Sequence, residues 1–218
     1  MNDQDSGEHT PLLTFLCAGR KNKNIQILRY LITKGAHPRK STSKGFTPIH
    51  VVAQHGNPEL INCLIEYGVD VNVQEYAGWS PLHLAAAYGR VQNLRTLIEH
   101  GAQINVRITT NQTPLHIAAQ FQHIEIFKAL LKHGAEVGPY GRLLAEAGSN
   151  DIDTITALLE QIDNINMRDE CGMTLLHAAV DRDIPKTVDF LLSQGADVSG
   201  GDFEKETLVE LAIRKAKG

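Results

Sequence analysis

The sequence predicts an all-α fold, a solenoid of stacked antiparallel helix pairs with short β-hairpin loops projecting between them. Three observations predict it. A four-residue start recurs along the chain, at Thr10, Thr47, Ser80, Thr113, Gly141, Thr174 and Thr207, with spacings of 37, 33, 33, 28, 33 and 33 residues. Paired apolar residues follow each middle start by 17 positions, at Leu64-Ile65, Leu97-Ile98, Leu130-Leu131, Leu158-Leu159 and Leu191-Leu192. A glycine then comes 3 residues later at Gly68, Gly101, Gly134 and Gly195. A fixed period of this length marks a repeat architecture, in which each unit is too small to bury its own apolar face and leans on its neighbours.

Each element of the repeat has a local cause. The starts Thr47-Pro48-Ile49-His50, Ser80-Pro81-Leu82-His83 and Thr113-Pro114-Leu115-His116 place proline at the first helical position, where its missing N–H has no intrahelical partner to lose. The preceding Thr or Ser supplies a capping hydroxyl. Small residues follow on the first helix (Ala53, Ala85, Ala86, Ala118, Ala119, Ala178, Ala179) and let a neighbouring helix approach closely. Leu and Ile at helical spacing on the second helix supply the bulk of the shared core. The glycine after it suits a left-handed terminal residue. Asp70-Val71-Asn72 and Gln103-Ile104-Asn105 then run extended toward a turn at Gly45, Gly78 or Gly172, giving the hairpins.

Two repeats are irregular. The first carries four extra residues around Arg20 to Asn24. The fifth, irregular near residues 136–150, loses five residues from its hairpin and at its start, Gly141-Arg142-Leu143-Leu144, lacks Thr, Pro and His, the repeat keeping an apolar trace in Leu143, Leu144, Ala147, Ile155, Leu158 and Leu159. A weak junction is expected there. The last repeat reduces to one polar capping helix, Thr207 to Ala216, so that residues 1–218 are expected to form a single array.

The stretches GFTPIHVVAQHG, GWSPLHLAAAYG and QTPLHIAAQFQ resemble the ankyrin repeat, and the resemblance runs along essentially the whole chain. It implies an ankyrin-repeat solenoid that binds another protein as adaptor, scaffold or stoichiometric inhibitor, without enzyme activity or cofactor. It implies that His50, His83, His116 and His177 tie hairpin backbone to helix start. It also implies contact through hairpin tips and the outer ends of the first helices, along a concave face. Carried onto this sequence, that surface includes Phe46, His55, Tyr76, Trp79, Tyr88, Gln112, Gln120 and Phe121, with the aromatic members gathered in the second to fourth repeats. Asn72, Asn105 and Asn166 resemble ankyrin asparagines hydroxylated by an iron-dependent oxygenase. The repeat number, Ala77 to Ala87 and the segment Ser193-Gln194-Gly195-Ala196 are similar to gankyrin-like chaperones of proteasome assembly. The same resemblance is compatible with an inhibitor of Rel-type transcription factors, a pathogen-encoded mimic of one, or a targeting subunit of an enzyme complex.

Composition excludes several classes. Apolar residues make up 42% and charged residues 21%, the balance of a folded chain and not of a disordered or collagen-like one. The polar start MNDQDSGEHT lacks a secretory pattern and no apolar run reaches membrane-spanning length, so a cytoplasmic or nuclear monomer is expected. Cys17, Cys63 and Cys171, an odd number spaced far apart, fit reduced thiols, Cys171 falling at an expected hairpin tip. His55, His100, His123 and His133 have no zinc-ligand spacing, and no phosphate loop or nucleophile elbow occurs. Neither metal nor nucleic acid is expected. The net charge of −4 hides an asymmetry: Arg20 to Lys44 holds eight basic residues and no acidic one, whereas Glu136 to Glu210 holds sixteen acidic against five basic. Such a field can steer a partner of matching polarity.

Overall fold

A computed structural model describes residues 10–17, 24–55, 57–138, 152–160, 164–169, 172–199 and 213. Among these residues there are eleven helices and no strand. They are α1 (Pro11–Cys17), α2 (Ile25–Thr33), α3 (Pro48–His55), α4 (Pro58–Glu66), α5 (Pro81–Ala87), α6 (Val91–Glu99), α7 (Pro114–Gln120), α8 (Ile124–Lys132), α9 (Ile152–Leu159), α10 (Leu175–Asp181) and α11 (Pro185–Ser193). The final helix expected at Thr207 to Ala216, the inserted residues around Arg20, the trace at Leu143, Leu144 and Ala147, and Cys171 lie outside the described residues, Ile213 apart.

The helix boundaries follow from the residues that set them. Proline opens α1, α3, α4, α5, α7 and α11. At the starts of first helices, Thr10 Oγ1 accepts the Leu13 N–H at 3.2 Å, Ser80 Oγ that of His83 at 3.4 Å, and Thr174 Oγ1 that of His177 at 3.3 Å. Asparagine does the same for second helices, with Asn24 Oδ1 accepting from Gln26 at 2.8 Å and Asn57 Oδ1 from Glu59 at 3.0 Å. After α4, the N–H groups of Gly68 and Val69 return to the carbonyls of Ile65 and Leu64 at 2.8 and 3.1 Å, closing the helix end with Gly68 left-handed.

The chain divides into two compact units, Met1–Pro114 and Leu115–Gly218. In the first, α3 packs between α1 and α5, and α4 between α2 and α6, while α3 pairs with α4 and α5 with α6. Its core is continuous through Leu12, Leu16, Ile49, Leu60, Leu64, Leu82, Leu94 and Leu97, each at most 1% exposed. Burying one such leucine contributes about 1.5–3 kcal/mol, so cohesion within the unit comes from this shared apolar layer. Ala53, Ala85 and Ala86 are fully buried where first helices meet, as close packing of small residues requires. In the second unit α9 packs on both α8 and α11, and α10 pairs with α11. Phe127, the bulkiest fully buried side chain of the described residues, lies on α8. The fifth repeat thus keeps a well-formed second helix, with Ile155, Ala157 and Leu158 buried.

The projecting hairpins are tight turns and not strand ladders. Each is closed by a bond across five residues: Thr42 to Phe46 at 2.9 Å, Glu75 to Trp79 at 3.0 Å, Ile108 to Gln112 at 3.0 Å and Asp169 to Met173 at 2.9 Å, the first residue donating its N–H to the carbonyl of the second. Arms this short have no length for a ladder. Within the first unit, one backbone bond joins each hairpin to the next, from Tyr76 N–H to the Lys44 carbonyl at 3.1 Å and from Thr109 N–H to the Ala77 carbonyl at 3.0 Å.

Candidate functional site

His50 and His83 hold hairpins to helices. Thr47 N–H donates to His50 Nδ1 at 3.2 Å, and Thr47 Oγ1 lies 2.8 Å from the same nitrogen. A nitrogen that accepts carries no proton, so the neutral ring bears its proton on Nε2 and donates to the Trp79 carbonyl at 3.0 Å, one repeat on. His83 repeats the arrangement with Ser80 (Oγ at 2.9 Å) and the Gln112 carbonyl (3.2 Å). Burial disfavours the charged form of both rings and pushes their pKa values down, that of His83 to about 4. Their role is positional, as the resemblance implies, and the tie reaches forward to the following hairpin. In the second unit His177 Nδ1 lies 2.7 Å from Thr174 Oγ1.

The residues expected to meet a partner separate into two groups. Tyr76 is 77% exposed at a hairpin tip, and Tyr88 is 47% exposed as the cap residue ending α5. His55, at the end of α3, is also exposed. These side chains are offered to solvent from rigid backbone. Phe46 and Trp79 instead are half-buried: Phe46 stacks on His50 with ring centroids 5.0 Å apart, and Trp79 meets His83 edge-on at 5.9 Å. The residues following Gly45 and Gly78 therefore cover the tying histidines of their own repeats. Gln112 is half-buried, with its side-chain oxygen accepting from Thr110 Oγ1 at 2.9 Å. In the second unit Gln120 and Phe121 are exposed at the end of α7, Phe121 at 50%, with its ring stacked on His123 at 6.4 Å.

The asparagines brace neighbouring repeats. Asn72 Nδ2 donates to the Gly101 carbonyl at 3.1 Å and its Oδ1 accepts the Gln103 N–H at 2.8 Å. Asn166 Oδ1 likewise accepts the Asp197 N–H at 2.8 Å. Asn105 is half-buried at the same register.

Three further bracing residues are not marked by the repeat motif. Asn93 is 1% exposed and donates through Nδ2 to the carbonyls of Val52 and Ala53 at 2.8 and 3.0 Å, while Arg90 Nε reaches that of Gln54 at 3.0 Å. These are end carbonyls of α3, which have no partner inside their own helix. The signal in the sequence is a break in pattern, since Asn93 stands where Leu60 and Ile126 stand one repeat away on either side. Gln74 Nε2 joins two hairpins by donating to the carbonyls of Gly78 at 2.6 Å and Arg107 at 3.2 Å. Among the described residues no cluster of three or more His, Cys, Asp or Glu side chains could hold a metal, and no helix is long and apolar enough to cross a membrane.

Comparison with known proteins adds the following. The family description "Ankyrin repeats (3 copies)" matches residues 13–108, 77–140 and 103–163, and "Ankyrin repeat" matches residues 171–202. A search of curated proteins finds no match. Among solved structures, the ankyrin repeat domain of Bcl-3, described as a unique member of the IkappaB protein family, is similar at 21% identity with a TM-score of 0.75, covering 96% of this chain and 99% of that one. The human ASB11 ankyrin repeat domain is similar at 24% identity with a TM-score of 0.70, covering 94% and 92%.

Proposed function

We propose a function from one premise: the chain belongs to the ankyrin-repeat family, whose domains are protein interaction modules. On this reading the 1–218 array is a monomeric adaptor, scaffold or stoichiometric inhibitor of the cytoplasm or nucleus, which grips one protein partner through its hairpin tips and the ends of its first helices. The observation that carries it is the exposure of Tyr76 and Tyr88 on backbone held by hydrogen bonds within the first unit. Large aromatic side chains in such positions are the type that anchors interfaces. His55 and Gln112 extend the candidate surface within the first unit, and Gln120 and Phe121 are the candidates of the second.

The test is affinity capture from the native cell with the full chain and with a Tyr76→Ala, Tyr88→Ala variant. Partner binding should weaken by more than about 2 kcal/mol while helicity by circular dichroism stays unchanged. Trp79 is a poorer probe than Tyr76, because its contact with His83 couples any substitution to the fold. Equal capture by both proteins would remove the aromatic assignment.

An inhibitor of Rel-type transcription factors, or a mimic of one, is the second reading. The likeness to the Bcl-3 domain favours testing it first, although identity of 21% speaks for the fold alone. Recovery of proteasome subunits would mark the gankyrin-like role, and recovery of an enzyme the targeting role. Hydroxylation of Asn72, Asn105 or Asn166 belongs to the same proposal, supported by their shared register and half-buried side chains. Peptide mass spectrometry of the protein from its native cell should find one added oxygen on them.

A further inference from the structure

The charge asymmetry of the sequence becomes local in the structure. Of the basic residues between Arg20 and Lys44, Arg29 is paired with Glu66 at 2.6 Å, Lys34 lies 5.6 Å from the centre of the Tyr30 ring, and the Arg39 guanidinium lies over Gly68. The exposed cation left at the first hairpin tip is Lys44, on a hairpin (residues 37–46) that contains no carboxylate. Beside it stands Tyr76. The Tyr76 N–H is bound to the Lys44 carbonyl at 3.1 Å, and its ring lies so close to Gly45 that a Cβ there would be 3.1 Å from Cδ1. The second hairpin (residues 70–79) has two carboxylates: Glu75, half-buried and accepting the Trp79 N–H at 3.0 Å, and Asp70, away from the turn and accepting the Asn72 N–H at 2.9 Å. The third hairpin adds exposed Arg107 and again has no carboxylate between residues 106 and 112.

We propose that Lys44 and Tyr76, flanked by Lys40 and Arg107, recognise an acidic stretch of the partner protein, in which carboxylates meet the cations and an apolar side chain lies on the Tyr76 ring. The inference rests on the protein-binding reading and specifies the chemistry of what is bound. Exposed charges accelerate association more than they hold a complex together, whereas a buried aromatic contact slows dissociation. The two residues therefore leave different kinetic signatures. A nucleic acid would also satisfy the cations, but the patch offers a single exposed ring and the chain as a whole carries −4, which favour a protein ligand.

The test uses the full chain and three short fluorescein-labelled peptides of one length: Asp and Glu alternating with Leu and Ser, the same with Asn and Gln for the acids, and the same with Lys. An oligothymidylate serves as a fourth probe. Stopped-flow polarisation should show binding of the acidic peptide with an association rate that falls as salt rises. Lys44→Glu should slow association about tenfold, Tyr76→Ala should speed dissociation about tenfold, and the control Lys132→Glu on α8 should change neither. Undiminished binding of the acidic peptide by Lys44→Glu overturns the proposal. Equal binding of the neutral peptide, lost in Tyr76→Ala, overturns it while leaving the protein-binding reading standing. Binding of the oligothymidylate and of no peptide overturns both. Salt-sensitive self-association with no peptide bound would instead assign the patch to the acid-rich half of a second copy, and the proposal falls.

Discussion

Gln122 holds a left-handed backbone, φ 56°, in the turn between α7 and α8, where the turn between α5 and α6 uses Gly89 at φ 67°. A side chain in that conformation costs roughly 1–2 kcal/mol. Glycine would remove the strain but add about 0.5–1 kcal/mol of chain entropy to be lost on folding. The strain is the larger of the two, so Gln122→Gly should stabilise by about 0.5 kcal/mol, seen as a higher urea midpoint with unchanged slope. A lower midpoint would mean that the Gln side chain contributes more than its strain costs. Asn111 (φ 64°) takes the hairpin place held elsewhere by Gly45 and Gly78, a substitution that the repeat pattern hides because asparagine tolerates this region almost as glycine does. Asn93 is illegible for a different reason. What it satisfies, the end carbonyls of α3, lies forty residues back in the chain, and a periodicity argument sees only a polar residue in an apolar row.

Hairpins and helix ends both turn on glycine, but with unequal demands. Gly78 and Gly101 share φ +84°, so alanine is conformationally strained at either. At Gly101 a Cβ meets nothing within 4 Å, whereas at Gly78 it would lie 3.0 Å from Ile108 Cα and 3.1 Å from Thr109 N, both backbone. Gly101→Ala should cost about 1–2 kcal/mol of strain alone. Gly78→Ala should cost at least about 1 kcal/mol more, because two hairpins must separate and the Thr109 to Ala77 bond is put at risk. Chemical denaturation of the two variants side by side measures the difference; equal costs would show that the hairpins yield freely. Helix starts, helix ends and turn positions are legible in the sequence because Thr-Pro, Ser-Pro and glycine act through their own backbone. The exposure of the proposed partner-facing residues is legible only in part. Tyr76, Tyr88 and Phe121 are exposed as expected from their places in the repeat, while Phe46 and Trp79 turn onto His50 and His83, and no local pattern distinguishes a ring that faces water from one that covers its neighbour.

Acid should loosen the molecule through its tying histidines. A ring whose pKa is lower folded than unfolded takes up its proton on unfolding, so full stability is present above pH 6.5 and is lost as pH falls from 6.5 toward about 4, the value for His83. The contribution of His83 is of order 3 kcal/mol, and His50 acts in the same direction. Trp79 is the sole tryptophan, its carbonyl is held by His50 and its ring touches His83, so its emission reports directly on these ties. Thermal melts followed by that emission should fall in midpoint between pH 7 and 5, and His83→Asn should flatten the fall. A midpoint independent of pH would contradict the neutral, buried ring. The joints between hairpins carry one more implication. The hollow at Gly45 is filled by the phenol of Tyr76 as well as by the Glu75 backbone, but the hollow at Gly78 receives the main chain at Ile108 and Thr109. These two modules are thus each cut to their own successor. An engineer who shuffled or duplicated these repeats would find them less like interchangeable bricks than like numbered stones in an arch.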